Sequence, residues 1–328
     1  NAAGPPMIEA EREIFYGRLE IARRYARANK LNQVVIDPPH ARLGIVTAGK
    51  TYYDLREALE NLGLGAAELD RLGIRILKIG MVYPFDPESA RAIGPGLTEI
   101  IVIEDKRPFL ELFIKDALYG APDAPRVIGK QDEKGKLFLT ACGEISTDII
   151  ASALRQRLSS LFPDAGISPP PAATGALAQL PASRIPYFCS GCPHNRSLRV
   201  PDGSIVGAGI GCHIMTLWMG PVFGDVIGYT QMGGEGAQWV GLSPFSSTKH
   251  YFQNIGDGTF AHSGSLAVRF AVAAKANITY KLLYNSAVAM TGGQSIMGGR
   301  SVADIVAMLA AEGVRKIIVT TDEPQRYS

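Results

Sequence analysis

The sequence is short of cysteine, of charge of either sign in excess, and of long apolar runs. Only 4 cysteines occur in 328 residues, too few for a disulfide framework. Three of them crowd between positions 189 and 212, as a metal or redox site in a reducing compartment would place them. Lysine and arginine number 33 against 31 aspartates and glutamates, a formal net charge of +2. No basic cluster is dense enough to track a phosphate backbone, which argues against nucleic acid as a partner. No uninterrupted apolar run reaches the ~18–20 residues of a bilayer span, so no membrane association is expected. The opening Asn1-Ala2-Ala3-Gly4-Pro5-Pro6 has no basic region followed by a hydrophobic core, so the chain reads as cytoplasmic. An initiating Met is also missing, and the chain stops soon after a strand-like run, Lys316-Ile317-Ile318-Val319-Thr320. It therefore reads as one piece of a longer or processed polypeptide.

What is present is an alternation of strands and helices. Residues 8 to 30 carry Ile8, Phe15, Leu19, Ala22 and Ala26 near helical spacing with Arg and Glu between them, an amphipathic helix that serves either as an arm on a neighbour or, more ordinarily, packs on its own domain. From Leu43 the pattern becomes strand (43–46), helix (52–62), strand (74–79), strand (99–103), helix (108–118) and strand (126–128). This order predicts a parallel sheet covered by helices. Pro108 suits a helix's first turn, where no hydrogen bond is lost. Between Phe162 and Pro186 the chain turns rich in Pro, Ala, Ser and Gly, with Pro169-Pro170-Pro171, and reads as a linker. A second unit follows with strands at 205–208, 226–229, 251–255 and 278–284 and a helix at 263–276. The organisation is thus an N-terminal helical arm (1–42), an α/β domain (43–161), a linker (162–186) and a second α/β domain (187–328), two parallel-sheet domains in all.

The most informative stretch is Asn254-Ile255-Gly256-Asp257-Gly258-Thr259. Asp257 falls just past the carboxyl end of one strand, and Asn285 falls at the end of the next. A strand–helix–strand crossover takes roughly 30 residues or more, so the two side chains can meet at one edge of a parallel sheet, where ligands of open α/β sheets bind. Magnesium prefers hard oxygen ligands in octahedral array and keeps water, so a carboxylate, an amide oxygen, a backbone carbonyl and two diphosphate oxygens suit it. Gly256 and Gly258 let the backbone approach phosphate and adopt positive φ. Ser263 is placed to cap the next helix, whose amino end favours an anion. As a bare tripeptide Gly-Asp-Gly is a turn; the distal Asn at crossover spacing tips the reading toward a cofactor.

Several stretches resemble one family: Gly256-Asp257-Gly258 with Tyr284-Asn285, Cys189-Ser190-Gly191-Cys192-Pro193-His194, Gly209-Ile210-Gly211-Cys212, Thr259-Phe260-Ala261-His262-Ser263-Gly264 and Ala289-Met290-Thr291-Gly292-Gly293-Gln294. Together with Gly44 to Lys50 and Glu104 to Pro108 they are similar to the long bacterial members of the indolepyruvate:ferredoxin oxidoreductase family. Tyr284 departs from the family's thiamine-diphosphate motif, which has Asn there. The resemblance implies that 187–328 is the diphosphate-binding domain and that 43–161 is similar to a transketolase carboxyl-terminal-like domain. It implies magnesium held by Asp257, Asn285 and the Ala287 carbonyl, and thiamine diphosphate bound by these with Gly256, Gly258, Thr259, Met290 and Thr291. It also implies oxidative decarboxylation of a 2-oxo acid, an aryl pyruvate by the family's name, with coenzyme A taking the acyl group and ferredoxin the electrons. The family's pyrimidine-binding domain is not seen, so another chain or a missing segment is expected to supply it, within a homo-oligomeric full enzyme.

The cysteines admit three readings. Cys189, Cys192 and Cys212 resemble three ligands of a [4Fe–4S] cluster with the fourth missing; with His194 or His213 they form a zinc site; or they pack as small apolar residues. His262, just past the phosphate loop, is the candidate for proton transfer, or else a histidine that bonds backbone near a helix start. Met290 and Thr291 either touch the thiazolium or only pack. Gly233-Gly234-Glu235-Gly236 either presents Glu235 to the cofactor or is a surface turn. Gly207 to Gly211 imitates a dinucleotide fingerprint but lacks its final spacing and acidic partner. Two rival functions remain: a non-oxidative thiamine-dependent decarboxylase or carboligase, and a catalytically silent structural fragment.

Overall fold

The structure is a computed structural model that describes residues 4–167, 169 and 185–327; most of the expected linker, residues 162–186, lies outside the described residues. The chain divides into two compact units, Asn1–Ala178 and Gln179–Ser328.

The first unit opens with helix α1 (Pro5–Arg12), which runs through a π-helical Glu13–Arg18 into α2 (Leu19–Ala28). The second half of this helix packs on its own unit: Ala26 is buried, Arg23 Nε donates to the Phe85 carbonyl, and Arg27 pairs with the buried Asp86. The segment expected to be an arm also contains a strand, β1 (Gln33–Ile36), antiparallel to β3 at the sheet edge. Four residues ended by Asp37-Pro38-Pro39 are too short a run for periodicity to show. Next come β2 (Leu43–Ala48), α3 (Lys50–Asn61), α4 (Ala66–Leu72), β3 (Ile74–Ile79), α5 (Pro87–Ile93), β4 (Glu99–Ile103), α6 (Leu110–Leu118), β5 (Arg126–Ile128) and α7 (Thr147–Leu161). The sheet order is β1-β3-β2-β4-β5, parallel apart from β1.

Buried on both faces, β4 is apolar from Ile100 to Ile103, as central parallel strands are. Ile101 and Ile103 pack with Leu55 and Leu59 of α3 and Ile150 and Leu154 of α7. Ile100 and Val102 meet Ile93 of α5 and Ile114 of α6 on the other face. Helix α6 begins later than Pro108, because the Glu104 carboxylate gathers the N–H groups of Phe109, Leu110 and Glu111 and so fixes the first turn there.

The second unit contains α8 (His194–Ser197), β6 (Ile205–Ala208), β7 (Asp225–Tyr229), α9 (Ala237–Leu242), β8 (Tyr251–Gly256), α10 (Asp257–Thr259), a π-helical Phe260–Gly264, α11 (Ser265–Ala273), β9 (Ile278–Leu283), β10 (Ala287–Val288), β11 (Gln294–Ser295) and α12 (Val302–Ala311). Its sheet runs β7-β6-β8-β9, all parallel, and β10 and β11 form a separate antiparallel hairpin. Ser301 and Asp304 close a capping box on α12, which lays Ile305, Met308 and Leu309 on Ile255, Phe260 and Val268. The strand-like run at 316–320 is not a strand. Ile318 is 69% exposed, and without a ladder partner an apolar run gains nothing from extended geometry.

Candidate cofactor site

Strand β8 ends at Gly256, and the chain turns straight into helix at Asp257. Asp257 is 5% exposed, and its carboxylate organises three segments. Oδ1 accepts from Gly258 N at 2.9 Å; Oδ2 accepts from Asn285 N at 2.8 Å and from Ser286 N at 2.6 Å. Asp257 and Asn285, 28 positions apart in sequence and just past the ends of β8 and β9, therefore meet as the spacing predicts. The contact differs from a bare ligand pair, however, because Asp257 holds the backbone of Asn285. The Asn285 side chain folds forward, its Oδ1 accepting from Ala287 N at 3.0 Å.

Two expectations about this loop need correction. Gly256 has φ of −83° and Gly258 lies in α10; neither has positive φ. A Cβ on Gly258 would sit in ordinary contact with Val288 of the β10–β11 hairpin at 3.4 Å, and one on Gly256 at 3.9 Å from His213 Nε2. Nor does Ser263 cap a helix. Helical structure begins at Asp257, which leaves Ser263 inside the π-helical turn, where its Oγ bonds His262 Nδ1 at 2.7 Å.

Thr259 is buried behind the loop. His262 is exposed and makes its bond to Ser263. Met290 and Thr291 sit at the tip of the β10–β11 hairpin: Met290 is 48% exposed and Thr291 Oγ1 bonds Gln294 Oε1 at 2.7 Å. Beside Asp257 opens a cavity of about 590 Å³, lined by Phe260, Tyr284, Ile296, Arg300 and Met308 among others, with Arg300 its one cationic side chain.

Cys189 and Cys192 are joined by a turn in which Cys192 N donates to the Cys189 carbonyl. Cys192 and Cys212 pack against Phe188, Leu198, Phe223 and Leu283. Burial pushes the Cys212 thiol up, and the thiols of Cys192 and Cys189 push it the same way. His194 follows this turn; burial pushes its pKa down, and the charge of Asp257 opposes the shift. Among the described residues no three His, Cys, Asp or Glu side chains are arranged to hold a metal ion, and no helix is long and apolar enough to cross a membrane.

Sequence reasoning underrated Glu235 and missed Asn254. Glu235 is fully buried rather than part of a surface turn, with Oε2 accepting from Gly233 N at 2.7 Å. Burial holds its pKa above the usual carboxylate range. Asn254 is fully buried with neither side-chain atom partnered. A polar residue beside the Gly-Asp-Gly turn was the available signal.

Two parallel α/β sheets, the second with a carboxylate hub at its carboxyl edge, define the class: this is an α/β protein whose second unit is built to place polar groups at a sheet edge. Residues 33–165 match the indolepyruvate oxidoreductase domain, a match that begins at β1 and ends just past α7. The indolepyruvate oxidoreductase subunit IorA of Methanothermobacter marburgensis is 27% identical over 303 residues, 88% of this chain and 45% of the relative. That of Archaeoglobus fulgidus is 27% identical over 290 residues, 86% of this chain and 42% of the relative. The chain thus spans about half the length of the curated relatives it matches. Among solved structures, a 2-oxoglutarate:ferredoxin oxidoreductase from Magnetococcus marinus overlaps 48% of this chain and 24% of its own at 17% identity and a TM-score of 0.32. A split-gene transketolase, in an inactive tetramer, overlaps 39% and 41% at 16% identity and a TM-score of 0.27. The chain is thus similar to IorA subunits over most of its own length, and its first unit is similar to the indolepyruvate oxidoreductase domain.

Proposed function

We propose that this chain supplies the diphosphate- and magnesium-binding part of a thiamine-diphosphate-dependent enzyme that oxidatively decarboxylates a 2-oxo acid. An aryl pyruvate such as indolepyruvate is the favoured substrate, with carbon dioxide released, coenzyme A taking the acyl group and ferredoxin the electrons. The observation that carries this reading is the Asp257 carboxylate joining the ends of β8 and β9. The donor set fits magnesium in kind: a buried carboxylate, the Asn285 amide oxygen and the Ala287 carbonyl are hard oxygens close in sequence and space. Asn285 Oδ1 is engaged by one N–H, and a carbonyl oxygen has a second lone pair for a metal.

When bound, thiamine diphosphate supplies an electron sink for breaking the bond between the 2-oxo and carboxylate carbons. This chain's residues anchor and exclude. Asp257, Asn285 and Ala287 hold the metal end, Gly256 and Gly258 leave room for phosphate, and the hairpin carrying Met290 and Thr291 covers the loop through Val288. His262, exposed in the π-helical turn that follows the loop, is the candidate to exchange a proton with substrate once a second domain closes over it. The pyrimidine-binding domain comes from another chain or segment, so the chain alone should bind the cofactor weakly and not turn over.

The cysteines fit an iron–sulfur cluster in ligand type but fall one short of its usual four; a fourth thiolate must come from elsewhere. Iron and acid-labile sulfide in anaerobically purified protein should fall in Cys189→Ser while cofactor affinity stays; unchanged iron in the variant, or none in the wild type, leaves these cysteines as packing residues. For the cofactor site the test is calorimetric titration of Asp257→Ala with thiamine diphosphate and magnesium. Binding should be abolished with the fold retained, and wild-type affinity in the variant overturns the assignment.

A further inference from the structure

Among the described residues, the buried side-chain polar atoms that lack a partner are His213 Nε2, Glu235 Oε1 and both terminal atoms of Asn254. They belong to three segments that converge on the carboxyl end of β6. His213 follows β6, and its Nδ1 accepts from Gly209 N at 3.2 Å. Glu235 follows β7, and a Cβ on Gly209 would fall 2.5 Å from its Oε1. Asn254 lies on β8, one residue past the pairing of Gln253 with Gly207. A buried polar atom left without a partner costs about 1–3 kcal/mol, and native proteins rarely leave several together without a ligand or water to satisfy them.

His213 shows where that ligand sits. Because Nδ1 accepts the Gly209 N–H, the ring is neutral and its proton is on Nε2, a donor. That Nε2 is aimed at two glycines: a Cβ on Gly211 would fall 2.9 Å from it and one on Gly256 3.9 Å from it. The ring is 1% exposed, whereas Gly211 and Gly256 are half-buried. The imidazole Nε2 therefore lies against two half-buried glycines beside Asp257, and at Gly211 a side chain would run into it. Asn254, two residues before Gly256 in the same strand, shares that face by strand alternation.

We propose that His213 donates its Nε2–H to an oxygen of the bound diphosphate past Gly211 and Gly256, with Asn254 as a second donor behind it. This rests on the diphosphate reading of the Asp257 loop and adds an interaction that its magnesium ligands do not provide.

Two substitutions separate ligand binding from loop support. His213→Asn keeps an acceptor near the Nδ1 position, and with it the Gly209 bond, but loses the donor; His213→Gln keeps a donor near the Nε2 position and loses the Gly209 bond. Calorimetric titration of the full 328-residue chain with inorganic pyrophosphate and magnesium needs no second domain, because all these groups lie in one unit. His213→Asn should weaken binding roughly ten- to a hundredfold, the range of a hydrogen bond to a charged group, while His213→Gln stays within a few-fold of wild type. The opposite order makes His213 a support for Gly209 only and overturns the proposal. If the wild type itself fails to bind magnesium pyrophosphate, the diphosphate reading falls first; if the wild type binds and His213→Asn binds equally well, this inference alone falls. Nitrogen-15 spectra of the wild-type histidines give a check independent of variant folding: the His213 Nε2 signal should shift on adding magnesium pyrophosphate, and an unmoved signal overturns the assignment.

Discussion

The two sheets end differently at their carboxyl edges. In the first unit every buried ionisable group there is answered. Glu104 accepts from three backbone N–H groups, and Glu111 accepts from Lys130 N and Lys115 Nζ. The buried Lys130 ammonium donates to the carbonyls of Glu104 and Thr140; burial pushes its pKa down, while Glu104, Asp105 and Glu111 pull it back. In the second unit the buried atoms of His213, Glu235 and Asn254 stand unpartnered among the described residues, with His213 Nε2 against Gly211 and Gly256. The two edges are thus built differently: the first is saturated by groups of its own unit, and on the reading proposed above the second is left for a ligand to complete.

The largest expected effect tests that contrast with paired truncations of Asp257 and Glu104 to alanine. Removing the partner of a metal ligand costs about 10–100-fold in affinity, and removing a ligand costs more. Asp257→Ala should therefore lose magnesium-dependent binding of thiamine diphosphate by roughly a hundredfold or more, together with some stability, because it too strands three backbone N–H groups. Glu104→Ala should lose stability alone. It strands buried N–H donors at about 1–3 kcal/mol each, so urea unfolding should show a loss of about 3 kcal/mol or more, with cofactor affinity kept. Equal losses of binding in both variants would erase the distinction between the edges.

A smaller effect belongs to Glu235. Burial raises its folded-state pKa above the ordinary 4.5, so the folded protein keeps a proton that the unfolded chain releases. Stability from this group is complete below that ordinary value and is lost as pH rises toward the folded pKa. Glu235→Gln cannot ionise, so its melting temperature relative to wild type should rise as the pH climbs above 4.5. A difference independent of pH would mean that Glu235 ionises normally in place.

Much of the fold was legible in the sequence because its strands are uniform apolar runs bounded by turns. Ile74–Ile79, Glu99–Ile103 and Arg126–Ile128 are strands at the expected limits, and the crossover spacing foretold the meeting of Asp257 with the Asn285 segment. Burial of a continuous run is a local property, and so is the length of a crossover. Tertiary structure alone decided the rest. Lys316 to Thr320 has the pattern of a strand and no neighbour to pair with. Ser263 follows the Gly256-Asp257-Gly258 turn but lies within a helix that had already begun. Glu235 stands among glycines that look like surface yet is closed in by Gly209 and Gly233 from distant or turning backbone. A side chain's partners come from other segments, so whether a polar residue is satisfied, exposed or left waiting for a ligand is written in the packing and not in its neighbours along the chain.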